Sequence, residues 1–124
     1  MKFVIALIAA LAIASPAFAQ SHDHNEKGPH GGPLEDVAGL HAELVAKDNV
    51  LTLYIFDADV KPMAPKGFTA SALVVNGADR ETLTLVAGDD AIKGETKKPI
   101  AAGATVTITL RTAAGKSGQA RFKP

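Results

Sequence analysis

Apolar residues recur at every second position through most of this chain, and that period belongs to strands rather than helices. The clearest run is 104–110, where Val106, Ile108 and Leu110 alternate with Thr105, Thr107 and Thr109. Leu51, Leu53 and Ile55 share one face of 50–56. Leu40, Ala42 and Leu44 share one face of the run after Gly39, with His41, Glu43 and Val45 on the other. Further strands are expected over 68–75, over 81–86, around Ile92 and over 119–123. Lys47-Asp48-Asn49, Asn76-Gly77, Gly88-Asp89-Asp90 and Lys97-Lys98-Pro99 supply the turns between them. No segment after the N-terminal region has a helical period. The expected fold is therefore all-β: a small antiparallel β-sandwich of about seven strands, Ig-like in topology, with a small closed barrel as the alternative.

Residues 1–19 read as a signal peptide. Lys2 is the positive start, 3–14 is an apolar stretch too short to span a bilayer comfortably, and Ala17-Phe18-Ala19 is a small-x-small cleavage pattern. Cleavage after Ala19 implies a periplasmic protein with no membrane span of its own. Residues 20–33 are polar and rich in glycine and proline. They read as a flexible, His-rich leader, loosely draped until something orders it. Residues 34–124 are then one β-domain, long enough to build a single core.

Composition narrows the chemistry. There are 13 basic and 13 acidic residues, so nothing argues for nucleic acid as a partner. There is no cysteine, which removes disulfides, thiolate metal sites and thiol catalysis together. No nucleophile elbow, phosphate loop or His-Glu-x-x-His helix is present, so an enzyme is not expected.

All four histidines lie between positions 22 and 41. His22, His24 and His30 sit in the leader, and His41 stands two residues from Glu43 on an expected strand. Residues two apart on a strand point to one face with Cα atoms about 6–7 Å apart, so both side chains have access to one ion. His30, His41 and Glu43 would make a mixed nitrogen and oxygen set suited to Zn²⁺ or Cu²⁺. The bland alternative is a solvated strand face with incidental histidines. Cleavage after Ala19 would also place His22 third in the mature chain, where amine, two amides and imidazole form a square-planar site for Cu²⁺ or Ni²⁺. Met63, between two prolines, reads as a loop residue capping the core before it reads as a soft copper ligand. Asp57 and Asp59 read as turn residues.

The runs His30-Gly-Gly-Pro33, Gly39-Leu-His-Ala-Glu-Leu-Val45, Leu53-Tyr-Ile-Phe-Asp57 and Lys61-Pro-Met63 resemble small secreted β-domains. These domains occur alone or at the front of periplasmic adaptor subunits of heavy-metal efflux pumps of the resistance–nodulation–division type. Ala91-Ile-Lys-Gly94 and Gly115-Lys116 extend the resemblance, which covers roughly residues 29–122. It implies a β-sandwich-like domain, a periplasmic location, a link to a heavy-metal efflux complex, and His30, His41 and Glu43 as the shared polar set. The chain departs from a full adaptor in having no helical hairpin and no lipoyl-like halves, so it would not bridge a pump to a channel.

Overall fold

Antiparallel hairpins account for most of the architecture, and three of them close through two-residue loops at 38–39, 48–49 and 77–78. The structure, a computed structural model, describes residues 26–124. The expected signal peptide and cleavage site, and residues 20–25 of the leader with His22 and His24, lie outside the described residues. The strands are β1 (Leu34–Val37), β2 (Leu40–Lys47), β3 (Val50–Phe56), β4 (Pro62–Met63), β5 (Thr69–Asn76), β6 (Asp79–Ala87), β7 (Ile92–Glu95), β8 (Thr105–Arg111) and β9 (Ser117–Phe122). No helix occurs among the described residues, so none there is long and apolar enough to cross a membrane.

The strands follow one path, β1-β2-β3-β7-β6-β5-β8-β9, with β4 also paired to β3. Every pairing is antiparallel. The path curls because β6 serves two partners. Most of its length pairs with β5, up to Leu85 opposite Ala70, while Val86 and Ala87 pair with Lys93 and Ile92 of β7. A strand that changes partner in this way makes a corner between two sheet faces. The two ends of the path then meet. Gly118 on β9 lies so close to the β1–β2 turn that a Cβ there would stand 2.6 Å from the Ala38 nitrogen. The result is an antiparallel sheet nearly closed into a barrel, within the all-β class that the alternation predicts.

Inside the curl lie residues that the period places on the inward faces of β2, β3 and β8, joined by Ala72 of β5 and Phe122 of β9, which it does not single out. Ala42, Leu44, Leu51, Leu53, Ile55, Ala72, Val106, Ile108, Leu110 and Phe122 are each at most 2% exposed. A fully buried aliphatic side chain of this kind contributes about 1.5–3 kcal/mol. Nine strands are present where about seven were expected. β1 and β4 escape a reading by periodicity because β1 has four residues, two of them acidic, and β4 has two, one of them proline.

The β3–β4 connection carries a strained residue. Asp57 closes it by accepting bonds at Oδ1 from the Asp59 and Lys61 amides at 2.9 and 3.0 Å. Val60 is thereby held at φ +59 while 43% exposed. A β-branched residue in the left-handed region is a steric outlier, and the cost is about 1–2 kcal/mol. Asparagine tolerates this region far better. Val60→Asn is expected to raise stability by about 1 kcal/mol, read as a higher urea midpoint with an unchanged slope.

Candidate functional site

Alternation on β2 and β3 turns Glu43 and His41 away from the core, directly opposite Tyr54 and Phe56. That outer face is not bare. Residues 26–33 fold back across it as a strap. Lys27 bridges to Pro33, and the Leu34 amide donates to the Glu26 carbonyl at 2.9 Å. Within the strap the Gly28 amide donates to the Gly32 carbonyl at 2.8 Å, and the Leu44 amide of β2 donates to the Pro33 carbonyl at 3.1 Å. This part of the leader was expected to be loose. It is instead tied down by a group on the domain itself.

That group is the Glu43 carboxylate, which is fully buried. Its Oε2 accepts the His30 amide at 2.8 Å and the Gly32 amide at 2.9 Å. Its Oε1 lies 2.8 Å from the His30 ring at Nδ1. Taking a carboxylate out of water is expensive unless its lone pairs are met by donors, and charge-assisted bonds of this kind are the strong ones. Two glycines make the approach feasible. A Cβ on Gly28 would fall 2.3 Å from Glu43 Cδ, and one on Gly32 would fall 2.2 Å from the Leu44 carbonyl oxygen. The glycines around His30 thus let the backbone bend around a charge that is a side chain of the same molecule. Tyr54 completes the seat: its ring stacks on His30 at 3.7 Å between centroids and 7° between planes. Phe56, 1% exposed although on the outer face, lies 6.4 Å from the His30 ring.

The expected His30–His41–Glu43 set is drawn apart by these contacts. His30 leans across β3 onto Tyr54, whereas His41 leans the other way, to β1. There its Nδ1 meets Asp36 Oδ1 at 2.6 Å, across a directly paired register position. Glu43 has both oxygens engaged and no exposure, so the solvent-reachable face that alternation alone assigns to it is corrected. Among the described residues no three His, Asp or Glu groups converge closely enough to hold an ion. Met63 lies opposite the inward-facing Ile55 and packs against the core, as its capping role predicts.

One imidazole nitrogen of this site is left open among the described residues. The His30 side chain is 43% exposed and has one ring nitrogen committed to Glu43. Its other nitrogen, Nε2, has no hydrogen-bond partner among the described residues. The ring lines an open groove of about 920 Å³ together with Tyr54, Pro62, Met63, Val86 and Lys93. A smaller pocket of about 220 Å³ lies beside Val74, Glu81 and Ile100 and contains no imidazole. Its two acidic groups are already used: the Glu81 carboxylate accepts the Lys97 amide at 2.8 and 3.1 Å, and Asp79 pairs with Lys98 at 3.7 Å.

Comparison of the chain with protein-family models, with curated proteins and with solved structures finds no match.

Tyr54, Asp36, Gly28 and Gly32 also belong to this site, and although Gly32 and Tyr54 stand in the runs that carry the resemblance, none of the four was among the residues expected to form it. Asp36 becomes visible only once β1 is known to be a strand, because the register of the Ala38-Gly39 turn then sets it opposite His41. Tyr54 follows similarly from the β2–β3 register. Removing the buried carboxylate leaves two backbone amides without acceptors and opens a hole. Glu43→Ala is therefore expected to cost about 3 kcal/mol, with amide exchange at Gly32 accelerating more than exchange at core positions such as Ile108.

Proposed function

We propose that this is a periplasmic transition-metal-binding protein that buffers or delivers Cu²⁺ or Zn²⁺ in heavy-metal resistance or efflux, acting by binding and not by catalysis. One observation carries the reading: a half-exposed imidazole, His30, is seated at Nδ1 on a buried carboxylate, which is how metal-binding histidines are commonly held. Its position in the chain supports the same reading. His22 and His24 precede it by eight and six residues, within easy span of one ion. A nitrogen-rich set from His22, His24 and His30 suits Cu²⁺, Zn²⁺ and Ni²⁺. No thiolate exists in the chain, and the described methionine, Met63, is packed on the core. His41, turned toward Asp36, would act as a separate and weaker point of attachment. The signal-like residues 1–19 motivate the location, and the resemblance to adaptor-linked domains motivates the link to efflux.

A second reading, an envelope interaction module, is favoured by Val60 and Val86. These are the large hydrophobics left exposed among the described residues, at 43% and 70%. Val86 also lines the groove beside His30.

The two readings separate by calorimetric titration of the mature chain with Cu²⁺ and Zn²⁺. The metal reading predicts stoichiometric binding that His30→Ala weakens by about tenfold or more. A mature chain that binds neither ion stoichiometrically would sink it, and binding that survives both His30→Ala and removal of residues 20–25 would place the site elsewhere than at His22, His24 and His30. Because the core is built of apolar side chains such as Leu53, Val106 and Ile108, none of them a ligand, chelation is expected to leave the β-type far-UV circular dichroism unchanged, in contrast to proteins whose folding depends on their metal.

A further inference from the structure

Glu43 stands in the sequence as a metal ligand, yet its geometry gives it a different task. Both oxygens are occupied from within the protein, Oε2 by the His30 and Gly32 amides and Oε1 by the His30 ring. It is fully buried, so an ion could reach it only by displacing the strap. A carboxylate oxygen is an acceptor, and Nδ1 lies 2.8 Å from it. The proton of that bond is therefore on Nδ1. A neutral imidazole carries one N–H, so the lone pair is then on Nε2. In an unconstrained histidine the proton prefers Nε2, which leaves the nitrogen farthest from the backbone blocked. Tyr54, stacked flat at 7°, holds the plane of the ring, and the bond to Glu43 Oε1 decides that the Nδ1 edge faces the carboxylate.

We infer that Glu43 is a positioning residue that holds His30 in the tautomer protonated at Nδ1 and so presents Nε2 toward the groove as the metal-binding atom. The inference rests on the metal-binding reading for its last clause and on the hydrogen-bond geometry alone for the rest. It assigns Glu43 the outer-sphere role in a carboxylate–histidine–metal arrangement, where loss of the carboxylate lowers metal affinity by about 10–100-fold without removing a ligand.

Glu43→Gln offers a near-isosteric test. The carbonyl oxygen of the substituted amide retains the two backbone donors at the Oε2 position. That places the amide NH₂ where Oε1 was, facing Nδ1. An NH₂ group donates, so Nδ1 must accept, and the ring proton is driven to Nε2. The variant is thus expected to invert the tautomer while keeping the strap seated.

The experiment is long-range ¹H–¹⁵N correlation of the His30 ring in the metal-free mature chain and in Glu43→Gln, at a pH where the ring is neutral. Zn²⁺ titration of both and of His30→Ala completes it. The expected result is a proton on Nδ1 in the native protein, on Nε2 in the variant, and Zn²⁺ affinity lowered about 10–100-fold by Glu43→Gln. A native His30 protonated at Nε2 overturns the inference outright, and this measurement needs no variant to fold. Inversion of the tautomer with unchanged Zn²⁺ affinity also overturns the positioning role while leaving metal binding in place. The expected tautomer in a native chain whose His30 resonances ignore Zn²⁺ rejects the metal-binding reading itself, and with it the final clause.

Discussion

A single buried carboxylate organises the outer face of this domain. Glu43 lies on a strand whose alternation turns it away from the core, yet it has no contact with water. A charge in that position is tolerable only if donors surround it, and the strap supplies them through two backbone amides and one imidazole. The dependence runs both ways. Residues 26–33 have almost no apolar surface with which to hold themselves against a sheet. Their order comes from the carboxylate, from the Tyr54 ring and from a few backbone bonds to β2 and to one another.

The barrel provides what that interaction needs. β2 and β3 pair over seven register positions, so Glu43, Tyr54, His41 and Phe56 stand at set places on one rigid surface. Since β1 enters beside β2 directly after the strap, the chain needs only one reversal to return across that surface. Core packing is separate from this. The inward faces of β2, β3, β5 and β8 fill the barrel with aliphatic side chains and owe nothing to the histidines. Changes at the site therefore have room to alter binding or the strap while the sheet stays closed.

Two imidazoles on one surface have been given different situations. His30 is tied to a buried carboxylate, clamped by an aromatic ring and opened to a groove. His41 is paired with the exposed Asp36, where water competes for both partners. The difference explains why His30 carries the functional reading. A group held in one orientation by buried contacts loses little freedom when it binds something, whereas an exposed pair must first be ordered.

Much of the fold was legible in the residues themselves. Alternating apolar positions such as Val106, Ile108 and Leu110 specify strands and their inward face, because side chains on a strand point to opposite sides in turn. The turn residues specify antiparallel hairpins for a similar local reason. Those signals also placed His41 and Glu43 correctly on the outer face, and they brought His30 into the same neighbourhood. They were silent on β1 and β4, which are too short or too irregular to show a period. Only the tertiary structure decided that the sheet curls at Leu85–Val86 until β9 meets β1. It alone also decided that Glu43 is buried and is no free ligand. Burial on an outer face depends on which distant segment comes back to cover it. A histidine's partner depends on register and strap path, and no pattern along the chain encodes either of these in advance.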